Sequence, residues 1–195
     1  SLLARAIALR RETQYEAALQ DLETFLNLAP KQDQQANALY ERGLVEVALK
    51  KHNVAEQTFI ALLQLDSKYS AADRVLYELA WAQKSQQKTD LAVASFQKLV
   101  ADHPQSSMAA ESYFHIGEAS YENKEYPSAI EAYQAARNAE ADGDLAEQVA
   151  YKLGWSHFKL EDFEKARGQF RKQIAADRDT PLAAEARFME AECHF

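Results

Sequence analysis

Ala18, Ala55, Ala92, Ala129 and Ala166 stand 37 residues apart in a chain of 195, and no other feature constrains the fold as tightly. Other columns keep the same period. Four residues after each alanine comes Leu22, Phe59, Phe96, Tyr133 or Phe170, and twelve before it comes Ala6, Gly43, Ala80, Gly117 or Gly154, with Ala191 as a sixth member. Three residues ahead of that small residue stand Leu3, Tyr40, Tyr77, Phe114, Tyr151 and Phe188. Trp81 and Trp155 lie 74 residues apart, as do Pro30 and Pro104. Several independent columns holding one period mark a tandem array in which each repeat is one supersecondary unit.

Within a repeat the apolar spacing is helical. Leu76, Leu79, Ala80 and Gln83 recur at three and four residues, as do Ala92, Phe96 and Leu99, so each repeat is expected to hold two helices. Only 5 Gly and 4 Pro interrupt a chain filled with Ala, Leu, Glu, Gln and Lys, which are helix formers. Short polar stretches such as Lys88-Thr89-Asp90 and Asn123-Lys124-Glu125 separate the two helices, and Pro127 fits the first turn of a second helix. Pro104 stops a helix, Ser106 or Ser107 offers an N-cap oxygen to the next, and Asp142-Gly143-Asp144 does the same one repeat later. The small column is expected to let helices cross closely, with Gly117 facing Ala129. One hairpin cannot bury its apolar faces alone, so neighbouring repeats must stack into a solenoid.

The formal charge of -8 repels phosphate backbones and anionic lipid, which argues against nucleic acid as a ligand. A single cysteine, Cys193, excludes an internal disulfide framework and a cysteine-only metal site. No apolar run approaches the roughly 20 residues that span a bilayer, so membrane insertion is not expected, and Ser1 to Arg11 has none of the segments of a signal peptide. The apolar pattern runs on to Phe195. We therefore expect either a piece of a longer array or an end that associates with another copy as a homo-oligomer.

The columns resemble the tetratricopeptide repeat, whose helix pairs carry an aromatic and a small residue in the first helix and an alanine and an aromatic in the second. The clearest copies are Tyr113-Phe114-His115-Ile116-Gly117 with Tyr126 to Tyr133, and Tyr151-Lys152-Leu153-Gly154-Trp155 with Phe163 to Phe170. The resemblance spans essentially the whole chain and implies an all-α, right-handed α-α superhelix. Repeats fall at about 1–35, 36–72, 73–109, 110–146 and 147–183, with 184–195 as the first helix of a sixth. The period of 37 exceeds the usual ~34 and places the extra residues in the connections. The Pro-Gln-Ser-Ser connection after His103 is similar to repeats of bacterial envelope proteins, the Tol-Pal coordinator and the helical lipoprotein of outer-membrane β-barrel assembly, which implies a periplasmic or envelope setting.

In that family the first helices line a groove for an extended peptide or partner helix. Transferred by register, the groove presents Tyr40, Leu44, Tyr77, Trp81, Lys84, Phe114, Glu118, Tyr121, Tyr151, Trp155, Phe158 and Phe188. An aromatic strip suits a binding surface, yet the same rings also serve to pack repeats together; Trp81 and Trp155 are the better contact candidates. Arg10, Arg11, Arg74 and Lys84 mark the first part of the groove, and Glu111, Glu118, Glu122, Glu185 and Glu192 the second, a polarity that would orient a charged partner. The Lys and Asn that clamp a terminal carboxylate in some relatives are replaced here by Tyr, Phe, Leu, Trp or Glu, so that activity is not implied.

Enzymatic motifs are lacking: there is no Gly-rich phosphate loop, Gly-x-Ser-x-Gly or His-Glu-x-x-His. His157 and His194 share a repeat position beside Cys193, but a zinc site would want a fourth ligand, and Glu118 and Glu122 on one helical face read as solvated. The expected function is a non-enzymatic protein-binding scaffold without cofactor or metal. The alternatives are a self-assembling array and a regulatory repeat domain of a larger protein.

Overall fold

The apolar segments of the repeat fold as α-helices, paired as α1 (Leu2–Arg11) with α2 (Tyr15–Asn27), α3 (Gln32–Ala48) with α4 (His52–Leu65) and α5 (Ala72–Ser85) with α6 (Thr89–Asp102). Next come α7 (Ala109–Glu122) with α8 (Tyr126–Asn138), α9 (Gly143–Lys159) with α10 (Phe163–Ala175), and α11 (Pro181–Glu192). The computed structural model describes residues 1–175 and 181–193, and among them there is no strand. None of the described helices is long and apolar enough to cross a membrane.

The chain forms two compact halves, Ser1–Lys98 and Leu99–Phe195. In the first, each helix from α1 to α5 packs on the next, and in the second each from α7 to α11 does so. The first helices of successive hairpins also touch, α1 on α3 and α3 on α5, and likewise α7 on α9 and α9 on α11. These contacts set the first helices that carry the aromatic column beside one another within each half.

The alanine column is fully buried: Ala18, Ala55, Ala129 and Ala166 have no exposed surface. Gly117, however, does not owe its small size to Ala129. The residue against it is Tyr133, whose Cε1 lies 2.6 Å from where a Cβ would stand; the same Cβ on Gly43 meets Phe59 at 2.3 Å, and on Gly154 it meets Phe170 at 2.5 Å. Each ring lies in the slot the glycine leaves, and all three rings are fully buried. The period therefore couples the small column to the aromatic one, with the alanine supplying close approach one turn earlier.

The turns within the hairpins are built from main chain. Thr13, Lys50, Gln87, Lys124 and Glu161, again 37 residues apart, all adopt φ between 59° and 62°. After each of them an N–H reaches the carbonyl five residues back: Gln14 to Leu9, Lys51 to Glu46, Lys88 to Gln83, Glu125 to Ser120 and Asp162 to His157, at 2.8 to 3.0 Å. This is the Schellman closure, here made without glycine at the left-handed position. Pro127 occupies the first turn of α8, as its ring geometry favours. The expected serine cap does not form. Met108 precedes α7 without a side-chain bond, and Ser106 Oγ instead accepts from the Met108 N–H at 3.2 Å, closing a turn ahead of the helix. Asp142 precedes α9, likewise without a side-chain capping bond.

Candidate functional site

The face of the first half is carried by α1, α3 and α5. Tyr40 and Leu44 are half-buried on α3, packed against the core of Phe59, Leu62, Val75 and Leu79. Tyr69, from the α4–α5 connection, lies 6.0 Å from the Tyr40 ring and donates its hydroxyl to Asn37 Oδ1 at 2.9 Å. One repeat later Tyr77 and Trp81 meet edge to face at 6.2 Å, and both pack edge-on against the buried Phe96, at 6.1 and 6.5 Å. Both rings are half-buried. The Lys84 ammonium stands 4.8 Å from the centre of the Trp81 ring, a cation–π arrangement.

In the second half, Phe114 is only 7% exposed and packs 5.7 Å from Tyr133, which places it in the core. Glu118 is engaged on both oxygens: the Tyr133 hydroxyl donates to one and Lys152 Nζ to the other at 2.9 Å. Burial and the Glu118 charge push the Tyr133 phenol far above its ordinary value. Lys152 also stands 5.1 Å over the Tyr121 ring. Tyr121 and Phe158 pack edge to face against Tyr126 and Phe163, the first residues of α8 and α10, at 5.4 and 5.3 Å.

Tyr151 and Trp155 repeat the Tyr77–Trp81 pair at 6.3 Å, with Phe158 5.7 Å from Trp155 and Lys159 Nζ 5.5 Å over it. Burial and a hydrogen bond with Glu185 push the Tyr151 phenol up to about 12. Phe188, on α11, is 62% exposed.

The charges anticipated along the groove are partly spent on internal pairs. Arg10 binds Glu41 at 2.6 Å, Glu118 is taken by Lys152 and Tyr133, Glu185 by Tyr151, and Glu111 lies 3.7 Å from His115 Nε2. Arg11, Arg74, Glu122 and Glu192 are exposed. Among the described residues no group of three His, Cys, Asp or Glu is placed to hold a metal. His157 is buried, which holds its imidazole below the ordinary value, and its Nδ1 lies 3.7 Å from Asp162; Cys193 packs on the Ala166, Phe170 and Met189 cluster, and His194 lies outside the described residues.

Two features escaped the sequence reading. Buried polar pairs tie the helices of one hairpin, Thr58 donating to Glu46 at 2.6 Å and Ser95 to Gln83 at 2.7 Å, both twelve residues apart in the same register. A cavity of about 950 Å³ also opens in the second half between the connections at 104–107 and 139–144, with Glu111, Asn138 and Glu140 in its wall. The spacing of twelve was available in the sequence, but only a known helix pairing turns it into a contact.

A sequence profile of the tetratricopeptide repeat family matches residues 77–144 and 151–195, more than half of the chain. No curated protein matches the sequence. Among solved structures, YrrB, described as a TPR protein with an unusual peptide-binding site, is 21% identical over 96% of this chain and 90% of its own, with a TM-score of 0.75. MamA from Desulfovibrio magneticus RS-1 is 20% identical over 92% of this chain and 96% of its own, at 0.71, and PilF of Pseudomonas aeruginosa is 16% identical over 96% and 80%, also at 0.71. At these identities the likeness is one of fold, an all-α array of helical hairpins.

Proposed function

The chain belongs to the tetratricopeptide repeat family, and from that premise we propose that the face made by its first helices binds an extended peptide or a protein subunit. Arrays of this family are protein–protein interaction scaffolds, generally without enzymatic activity, and that general role is the one assigned here. The repeated Tyr–Trp pair carries the finer reading. Tyr77–Trp81 and Tyr151–Trp155 share one register, meet edge to face, and remain half-buried with a lysine over each indole. Rings immobilised on one side and open on the other bury partner surface with little further loss of side-chain entropy, as binding hot spots do.

The test is capture from a lysate of the source organism by the chain and by a Tyr77→Ala, Trp81→Ala, Trp155→Ala variant of verified helicity. Loss of a small, defined set of proteins supports the reading; identical capture overturns it. The exposed stripe of Ala184, Phe188 and Ala191 on α11 supports a second reading, self-association, for which the molar mass in light scattering rises with concentration and Phe188→Ser abolishes the rise. The envelope setting rests on the resemblance of the Pro104 connection and is checked by fractionating the source cells.

A further inference from the structure

Within each half, charged side chains at one repeat position interlock successive first helices. Glu41 on α3 meets Arg10 on α1, 31 residues earlier, at 2.6 Å. Lys152 on α9 stands over Tyr121, also 31 residues earlier on α7, and binds Glu118, 34 residues earlier, at 2.9 Å. Glu78 on α5 holds this same position, 37 residues after Glu41 and 74 before Lys152. Counting back 31 and 34 residues from Glu78 leads to Val47 and Leu44, both apolar and half-buried.

Glu78 thus has apolar residues at the register positions where Glu41 or Lys152 finds its partner. Glu78 is half-buried and makes no hydrogen bond or ion pair among the described residues, and burial alone raises its carboxyl above the ordinary range. Its charge is felt by the Tyr40 phenol, which burial and then Glu78 raise. The cations around it are Arg10, committed to Glu41; Lys84, standing over Trp81; and Arg74, one turn before it on α5, exposed and forming no ion pair with it. An ionised carboxylate held partly out of water beside apolar side chains is unfavourable unless a cation meets it. Trp81 stands one turn after Glu78 on the same helix, and its half-open ring meets that of Tyr77, the residue before Glu78, edge to face.

We propose that Glu78 is the anchor for a lysine or arginine side chain of an extended segment lying across α3 and α5, with Tyr77 and Trp81 taking an apolar neighbour of that cation. This deepens the peptide-binding reading above and rests on it. The partner it describes is a segment with a basic residue beside an aromatic or aliphatic one, its charge complementary to Glu78 and to a chain of formal charge -8. Binding completes on α5 the pairing that Arg10 supplies on α3.

The test is selection from a library of random peptides, joined to carrier sequence at both ends, on the whole chain and on its Glu78→Gln, Arg74→Ala and Tyr77→Ala/Trp81→Ala variants of verified helicity. The chain selects peptides with Lys or Arg at a fixed distance from an apolar residue. Glu78→Gln selects the apolar residue without the basic one, and binds a peptide chosen on the parent chain about tenfold more weakly, the scale of a half-desolvated charge pair. Replacing the basic residue of that peptide by Gln costs the parent chain the same factor and Glu78→Gln nothing further. Arg74→Ala keeps or strengthens the preference. An undiminished basic preference on Glu78→Gln overturns the anchor while leaving the groove in place. Failure to select any peptide, or peptides held equally by Tyr77→Ala/Trp81→Ala, overturns the groove reading and the anchor with it.

Discussion

Gly117 has no side chain because Tyr133 occupies the space one would fill, with Cε1 2.6 Å from an ideal Cβ. Gly117→Ala gains about 1 kcal/mol of helix propensity, but must push a fully buried ring aside, at about 1–3 kcal/mol. The net effect expected is a lower urea midpoint, partly recovered by a second change, Tyr133→Leu, which reproduces the Ala6 and Leu22 combination of the first repeat. A midpoint unmoved by Gly117→Ala contradicts this packing. Two glutamates carry opposite pH signatures. Burial raises the Glu78 carboxyl, so its ionisation costs stability as pH rises through the raised value. Glu78→Gln should therefore be more stable than the parent at neutral pH, the gap closing as pH falls through the ordinary glutamate range. At Glu56 burial also pushes upward, but bonds from Lys88 at 2.6 Å, Gln86 at 2.9 Å and Gln83 outweigh it and the carboxyl is lowered. Its contribution is complete above the ordinary range and lost as pH falls through the lowered value, so Glu56→Gln is less stable at neutral pH and its deficit shrinks on acidification. Urea midpoints measured against pH for both variants check the two signs.

At the level of the hairpin, helices end where main-chain bonds close the turn around a left-handed residue, and none of the five such residues within hairpins is glycine. A side chain at that conformation costs about 1 kcal/mol or more. Lys124, at φ 62° and exposed, is the clearest case. Lys124→Gly should stabilise the chain by about 1 kcal/mol, read as a higher urea midpoint, after the unfolded chain's added freedom is discounted; destabilisation means that the Lys124 side chain makes a contact the turn depends on. These turns were legible only as polar stretches such as Asn123-Lys124-Glu125, because left-handed geometry usually announces itself through glycine. That each repeat holds two helices was legible, since three- and four-residue spacing is a local property of each segment, but the starts of α3, α9 and α11 were not, lying ahead of the expected repeat bounds. The expected serine cap before α7 failed for the same local reason, Ser106 having a nearer N–H to accept from within its own turn.

For the chain as a whole, the physics of stacked repeats makes stability a sum of hairpins and nearest-neighbour contacts. Phe59, fully buried between Gly43 and the core of α4 and α5, tests this within the first half. Phe59→Ala should cost about 3–5 kcal/mol, and amide exchange should show protection lost most in α3 to α5 and least in α9 to α11; a uniform loss would mean that the chain unfolds as one cooperative unit. The period of 37, the two helices per repeat, the buried alanine column and the family were all written in one strand of text, because a repeat must bury the same face against the same kind of neighbour each time. The candidate site was legible in part. Register alone put Tyr77 with Trp81 and Tyr151 with Trp155 on first helices, but could not tell that Phe114 lies in the core while Phe188 is exposed, since both hold one repeat position. Tertiary structure decided which side chain fills each glycine slot, that Glu118 is spent on Tyr133 and Lys152, and that Glu78 is half-buried without a hydrogen bond or ion pair among the described residues. Partners 31 or 34 residues apart are joined by the crossing of helices, and a crossing is set by packing rather than by any spacing within one helix.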